Sequence, residues 1–256
     1  ARNIGCILYA FWSSSCCLLQ FFNNVMWRDN ARNIAPVFCD VWVRFEMMSS
    51  MGIISAGLVI ARRISRIANA TAATSFDSNE YRETLVELTI GLVPPLSQLA
   101  FFYFMQGHRF NIYEGIGCQA AIPASILAIV LSNIWYIILG LISAIYCART
   151  LRALLIRHQE ITTIISSSNL NVYYFYRLVA MAFIEMICDV PLGVFNLVVT
   201  LRDYYPWKGF NDLHFRFDRV DQFPYELWSS LSSAPLMANW YHIGCALIFF
   251  GLFSFT

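Results

Sequence analysis

An all-α fold, a polytopic bundle of membrane-crossing helices, follows from three features of the chain. Hydrophobic residues make up 58% and charged residues 13% of it, whereas a soluble domain carries about 25% charged residues. Mean hydropathy is +0.56. Apolar runs of roughly 20 residues, the length a bilayer requires, recur six times. The net charge of +1 and the single lysine, Lys208, give no basis for nucleic-acid binding. Eight cysteines lack CxxC or His-paired spacing, so neither a zinc site nor another cofactor is expected.

Taken in order, the spans form one domain over residues 1–256. The first covers about 4–26 and the second 37–61. The third, about 85–106, contains Pro94-Pro95, which is expected to kink it. The fourth covers 124–148, the fifth 178–200 with Pro191 inside it, and the sixth 236–256. No internal repeat is evident, so pattern lends no support to an inverted-repeat transporter.

Basic residues set the expected orientation. Arg62, Arg63 and Arg66 follow the second span, Arg149, Arg152 and Arg157 follow the fourth, and Arg177 opens the fifth. With Arg2 and Arg82 these make nine on one side against seven on the other. The nine cluster at helix ends, where the positive-inside rule counts most. That side is read as cytoplasmic, with both termini of this sequence. The loop 201–235 is then extracellular. Its aromatic residues, from Tyr204 to Trp228, lie among alternating charges, and it is expected to fold back over the mouth of the bundle. His108 and His214 lack metal spacing and read as solvated loop residues.

The second span carries the chemistry. Asp40, Arg44 and Glu46 lie inside it, and an ionisable residue at the centre of a membrane helix costs ~2.5–3.5 kcal/mol on insertion scales. Asp40 and Arg44, four apart, share a face and can pair. They read either as a local pair near the interface or as ligand contacts. Glu46 lies roughly 200° around the helix from Arg44; it should face a neighbouring helix or a cavity, and is read as a functional or switching residue. In the fifth span Glu185 and Asp189 are again four apart, beside Pro191. They read as ligand contacts, as a hinge that moves with activation, or as groups satisfied by backbone freed at the proline.

Several motifs then coincide. Trp27-Arg28-Asp29-Asn30-Ala31-Arg32 and Phe38-Cys39-Asp40 resemble the first outer loop and third helix of fungal mating-pheromone receptors. The resemblance is to the a-factor-receptor type, within the class D G-protein-coupled receptors. Gly117-Cys118-Gln119 is similar to a motif of the second outer loop. Ser168-Asn169-Leu170-Asn171 with Tyr176-Arg177-Leu178, Pro191, and Phe217-Asp218-Arg219-Val220-Asp221-Gln222 resemble the approach to helices six and seven. The wording is closest to mushroom members, and the second span ends in Ala61-Arg62-Arg63 where animal receptors have Asp-Arg-Tyr. The resemblance runs from helix two to helix seven, so six spans are expected here of seven, with helix one and a cytoplasmic tail outside this sequence.

The resemblance implies a plasma-membrane receptor for a farnesylated peptide pheromone, signalling through a heterotrimeric G protein. Asp40, Arg44, Glu46, Glu185 and Asp189 become candidate ligand residues. Arg62, Arg63, Arg66, Arg149 and Arg152 become candidate G-protein contacts, beside their role as topology anchors. Cys39 and Cys118 lie at the outer face, where the compartment is oxidising, and a disulfide between them is expected. The remaining six cysteines read as packing residues, with Cys147 a candidate for palmitoylation. Self-association into a homodimer is left open. The competing readings are a proton-coupled transporter relaying through Glu46, Glu185 and Asp189, and an intramembrane enzyme, for which no HExxH or GxSxG motif is present.

The topology has a direct consequence. Asn69-Ala70-Thr71 is a sequon on the cytoplasmic side, so Asn69 stays unmodified in a eukaryotic host. An endoglycosidase-sensitive gel shift that Asn69→Gln removes would invert the orientation.

Overall fold

The computed structural model describes residues 3–69, 80–167, 172–202, 204–229 and 234–253. It is a helical bundle with a small sheet closing one end. Helix α1 (Ile4–Met26) starts where the Asn3 side chain accepts from the Cys6 amide, at 3.4 Å. Helix α2 (Pro36–Asn69) opens on a proline, suited to a first turn whose N–H groups are unpaired anyway. Helix α3 (Glu80–Met105) runs through Pro94 and Pro95 without a break.

Next come strands β1 (Phe110–Tyr113) and β2 (Gly117–Gln119). Helix α4 (Ile126–Ala128) passes through a π-helical turn (Ile129–Asn133) into α5 (Ile134–Ser167). A π turn widens the helix and loosens its carbonyls. Here Gln98 Nε2 of α3 donates to the Leu131 carbonyl at 3.1 Å, and Asn133 Nδ2 donates to Thr200 Oγ1 at 3.0 Å. Thr200 belongs to α6 (Val172–Arg202), so the turn bonds both α3 and α6. Short α7 (Phe210–Leu213), strand β3 (Val220–Phe223) and α8 (Tyr225–Trp228) precede α9 (Ala234–Phe253).

Among the described residues, five helical stretches are long and apolar enough to cross a membrane, and α9 supplies a shorter apolar stretch, Asn239–Phe253. The helices outrun the apolar spans at one end. α2 continues past Ala61 to Asn69, and α5 past Ala148 to Ser167. Hydropathy marks where the bilayer stops, and helical hydrogen bonding carries on into water. α2 is the axis, with 72% of its apolar stretch buried against 28–39% for the other four. It packs on α1, α3, α5 and α6. Small residues allow this closeness: a Cβ added at Gly52 would lie 2.5 Å from the Trp12 ring of α1.

The sheet is the departure from an all-helical expectation. Its order is β2-β1-β3, with β1 antiparallel to β2 (Ile112 opposite Cys118) and parallel to β3 (Ile112 opposite Gln222). Three- and four-residue strands carry too little alternation to read from sequence. The expected return of the 201–235 loop is partly met: β3 and α8 do come back to this capped end, where Trp228 Nε1 donates to the Glu114 carbonyl at 3.1 Å. Residues 203 and 230–233 lie outside the described residues.

Asn23 of α1 seats the cap. Its Nδ2 donates to the carbonyls of Ile116 (3.1 Å) and Cys118 (3.3 Å), and its Oδ1 accepts from the Cys118 amide at 2.9 Å. Gly117, at φ 96°, lies so close to this carboxamide that no Cβ fits. Trp42 Nε1 of α2 also donates to the Cys118 carbonyl, at 3.0 Å. Asn23→Ala therefore orphans the Ile116 carbonyl and the Cys118 amide. At ~1–3 kcal/mol per buried unsatisfied group, the expected loss is about 3 kcal/mol, measured as a lower thermal midpoint in detergent. An unchanged midpoint would show that Asn23 does not hold the cap.

Candidate functional site

At the capped end, Cys39 at the start of α2 is joined by a disulfide to Cys118 of β2, with Cα atoms 5.5 Å apart. Asp40, the residue after Cys39, is gripped by Arg109. The guanidinium donates from Nε to both carboxylate oxygens (3.1 and 3.2 Å) and from Nη2 to Oδ2 (2.6 Å). The hydrogen bond to Asp40 raises the Arg109 pKa above its already high value, so the guanidinium stays charged. Arg44 is a secondary partner. Its Nη1 lies 3.9 Å from Asp40 Oδ1 and donates to the Asp40 carbonyl at 2.5 Å, while its guanidinium sits 5.3 Å from the Phe102 ring centre. The expected Asp40–Arg44 pair is thus led by a third residue from the α3–β1 connection.

His108 corrects its reading as a solvated loop residue. Its Nε2 lies 2.7 Å from Asn111 Oδ1 and 3.4 Å from Asp221 Oδ2, and Asp221 also pairs with Arg219 at 3.0 Å. The β1–β3 contact draws the imidazole in. His214 is more exposed, with Nε2 3.2 Å from the Tyr103 carbonyl.

Below the disulfide, Glu46 is buried at 9% exposure. Among the described residues its carboxylate accepts from Gln119 Nε2, at 3.4 Å, the residue after the disulfide cysteine. Its own carbonyl accepts from the hydroxyls of Ser49 (3.0 Å) and Ser50 (2.8 Å), and Ser50 Oγ lies 2.8 Å from His242 Nε2 of α9. With the Ser50 proton on the Glu46 carbonyl, the imidazole donates from Nε2–H. The thiol of Cys17 faces the His242 carbonyl at 3.7 Å, and Gln20 Nε2 donates to the Asn239 carbonyl at 2.6 Å and to its Oδ1. A polar track thus joins the cap, α2, α9 and α1, with a buried carboxylate near its head. Such a carboxylate is held against a desolvation cost of several kcal/mol.

Glu185 lies elsewhere. It is buried on α6, against Gly57 of α2, where any Cβ would overlap its carboxylate. Eleven residues separate Gly57 from Glu46, about 16 Å along the helix. The contact between Trp12 and Gly52 lies between them. The proposed ligand residues therefore do not converge: Asp40, Arg44 and Glu46 belong to the capped half, and Glu185 to the other. The same gap interrupts a proton relay through Glu46 and Glu185. The side chain of Asp189 lies outside the described residues.

At the far end of α2 the arginines meet two acids of α3 that the sequence reading passed over. Arg62 Nη2 donates to Glu83 Oε2 at 2.9 Å, Arg66 shares that oxygen, and Arg63 Nη1 donates to Glu87 Oε2 at 3.4 Å. Arg149 and Arg152 are exposed on α5. The side chain of Arg157 lies outside the described residues.

Over residues 1–256 the chain matches the STE3 family, described as pheromone A receptor. It belongs to this family. Its relatives include the Pheromone B alpha 3 receptor of Schizophyllum commune, 34% identical over the whole chain and 42% of that protein. Pheromone receptor 2 of Mycosarcoma maydis is 27% identical over the whole chain and 75% of that protein. The Pheromone a factor receptor of Saccharomyces cerevisiae is 23% identical over 83% of the chain and 46% of that protein. The chain thus spans about two fifths of the length of the Schizophyllum receptor. No solved structure matches it significantly.

Residues the sequence reading missed are Gln119, Arg109, His242, Asn239, Gln20, Glu83 and Glu87. The available signal was polarity within apolar runs: Gln20 in the first, Asn239 and His242 in the last. The Gly57 seat can be tested by a double-mutant cycle. Gly57→Ala is expected to cost about 1–3 kcal/mol by overpacking, and Glu185→Ala in the same chain to recover most of it. Additive losses in thermal midpoint would mean that the two residues do not touch.

Proposed function

We propose that this chain is the core of a plasma-membrane receptor for a lipidated peptide mating pheromone, farnesylated as the a-factor type implies, acting through a heterotrimeric G protein. The whole-chain match to the pheromone A receptor family carries the reading. Two features support it. Clustered arginines at the uncapped end suit a cytoplasmic face, and the disulfide suits an oxidising exterior. The capped end, with residues 204–229, is therefore extracellular.

Glu46 is the residue through which ligand binding acts. It is buried directly beneath Gln119, so a group entering under the cap exchanges with that amide for the carboxylate and shifts the Ser50–His242 link to α9. Asp40, Arg44 and Arg109 form the rim of the entry. Glu185 belongs to the α2–α6 contact at Gly57 rather than to the ligand. Arg62, Arg63 and Arg66 meet the G protein once released from Glu83 and Glu87, and Arg149 and Arg152 extend that surface.

The test uses the full reading frame containing this chain, expressed in a fungal cell lacking its own mating type. Candidate lipopeptides activate a pathway reporter, and their unprenylated forms are at least about tenfold weaker. Glu46→Ala raises the effective concentration by roughly 10–100-fold, the equivalent of one charged hydrogen bond, at unchanged surface expression. A receptor at the plasma membrane that answers no lipopeptide would refute the reading.

A further inference from the structure

One part of the long connection between α6 and α9 lies on the flank of α3. Among the described residues, the ring contacts that 204–217 make outside their own segment are with that helix. Phe210 meets Phe104 of α3 at a ring separation of 6.1 Å, and Tyr103 of α3 meets His214 at 4.9 Å and Phe217 at 5.8 Å. The segment is tied at the level of two helix ends. The chain leaves α6 at Arg202, and the Tyr205 amide donates to the Ala124 carbonyl, just ahead of α4, at 2.7 Å.

The surface it continues is an apolar one. Leu85, Val93, Leu96, Leu99, Tyr103 and Phe104 are all exposed on α3. At ~100° per residue they fall within about 140° of one another, a single stripe along a membrane-crossing helix. Such a stripe faces acyl chains. At its upper end the stripe passes onto the loop, where Tyr204, Tyr205, Trp207, Phe210 and Phe215 are 38–68% exposed. Cations sit among them: Lys208 Nζ is 5.7 Å from the Tyr205 ring centre, and the Arg216 guanidinium is 5.7 Å from that of Phe215.

We infer that residues 204–217 form an interfacial anchor, an aromatic and basic surface occupied by the headgroup–acyl boundary of the bilayer leaflet at the capped end. The chemistry is that of membrane-interface belts. Tyr and Trp place an apolar ring at the acyl boundary and a polar edge among headgroups. Lys and Arg lay apolar stems on the same surface and reach phosphates with their charge. An exposed aromatic patch of this kind is a binding surface by default, and continuity with the lipid-facing stripe of α3 makes the bilayer its occupant. The inference does not depend on the identity of the receptor's ligand.

The experiment places a fluorescent amino acid at position 204 or 215, whose side chains are not packed in the core, and at Glu226 of α8 as a cap control. Each variant is reconstituted in vesicles containing anionic lipid. Lipids with a nitroxide high on the acyl chain are expected to quench positions 204 and 215 several-fold more than position 226. Aqueous iodide should show the reverse order. Iodide quenching at 204 and 215 equal to that at 226 would overturn the anchor in favour of a water-exposed loop. Shielding from both quenchers, relieved as protein is diluted into excess lipid, would overturn it in favour of a contact between copies.

Discussion

The Cys39–Cys118 bond is the joint on which the upper half of the molecule depends. It closes a separation of 79 residues, for which chain entropy alone is worth roughly 4 kcal/mol. Its structural consequence is larger than its energy. Fixing β2 on the first turn of α2 brings the Cys118 backbone within reach of Asn23 and Trp42. It also leaves the next residue, Gln119, facing Glu46. Strand β1 pairs with β2 and recruits β3. Without this joint, three short strands would have too few hydrogen bonds to persist.

Along α2 the physics changes with depth. At the capped end Asp40 and its arginines are partly exposed, so their pairing is mainly orienting, since wet ion pairs contribute little. In the middle, Gly52 and Gly57 take Trp12 of α1 and the Glu185 carboxylate of α6 into van der Waals contact. Contacts this close have few alternative arrangements. At the arginine end, Glu83 serves two guanidinium groups and Glu87 a third, lacing α2 to α3. α2 is thus held along its length by close contacts with α1, α3 and α6.

The helices were legible because a bilayer imposes a length and a polarity on anything that crosses it, and runs such as 4–26 and 37–61 meet both. The buried carboxylates were legible for the same reason, since Glu46 and Glu185 stand out against apolar neighbours. Their partners were not. Gln119 is a common loop residue until β2 is pinned beside α2, and Arg109 becomes notable only once it reaches Asp40, 69 residues away. His242 looks like any half-polar helix residue until Ser50 lies opposite it. Pro94 and Pro95 lie inside α3, which continues through both.

The amino-acid sequence by itself determined the class of the protein, its long apolar helices, the charged positions on α2 and the family motifs, because each is written in local composition or spacing. Tertiary structure alone decided which charge meets which. It assigned Asp40 to Arg109, set Glu46 beneath Gln119, moved Glu185 to the opposite half of the bundle, and laid the aromatic loop along α3. These pairings join residues far apart in the chain, and only the packing of helices around α2 brings them together.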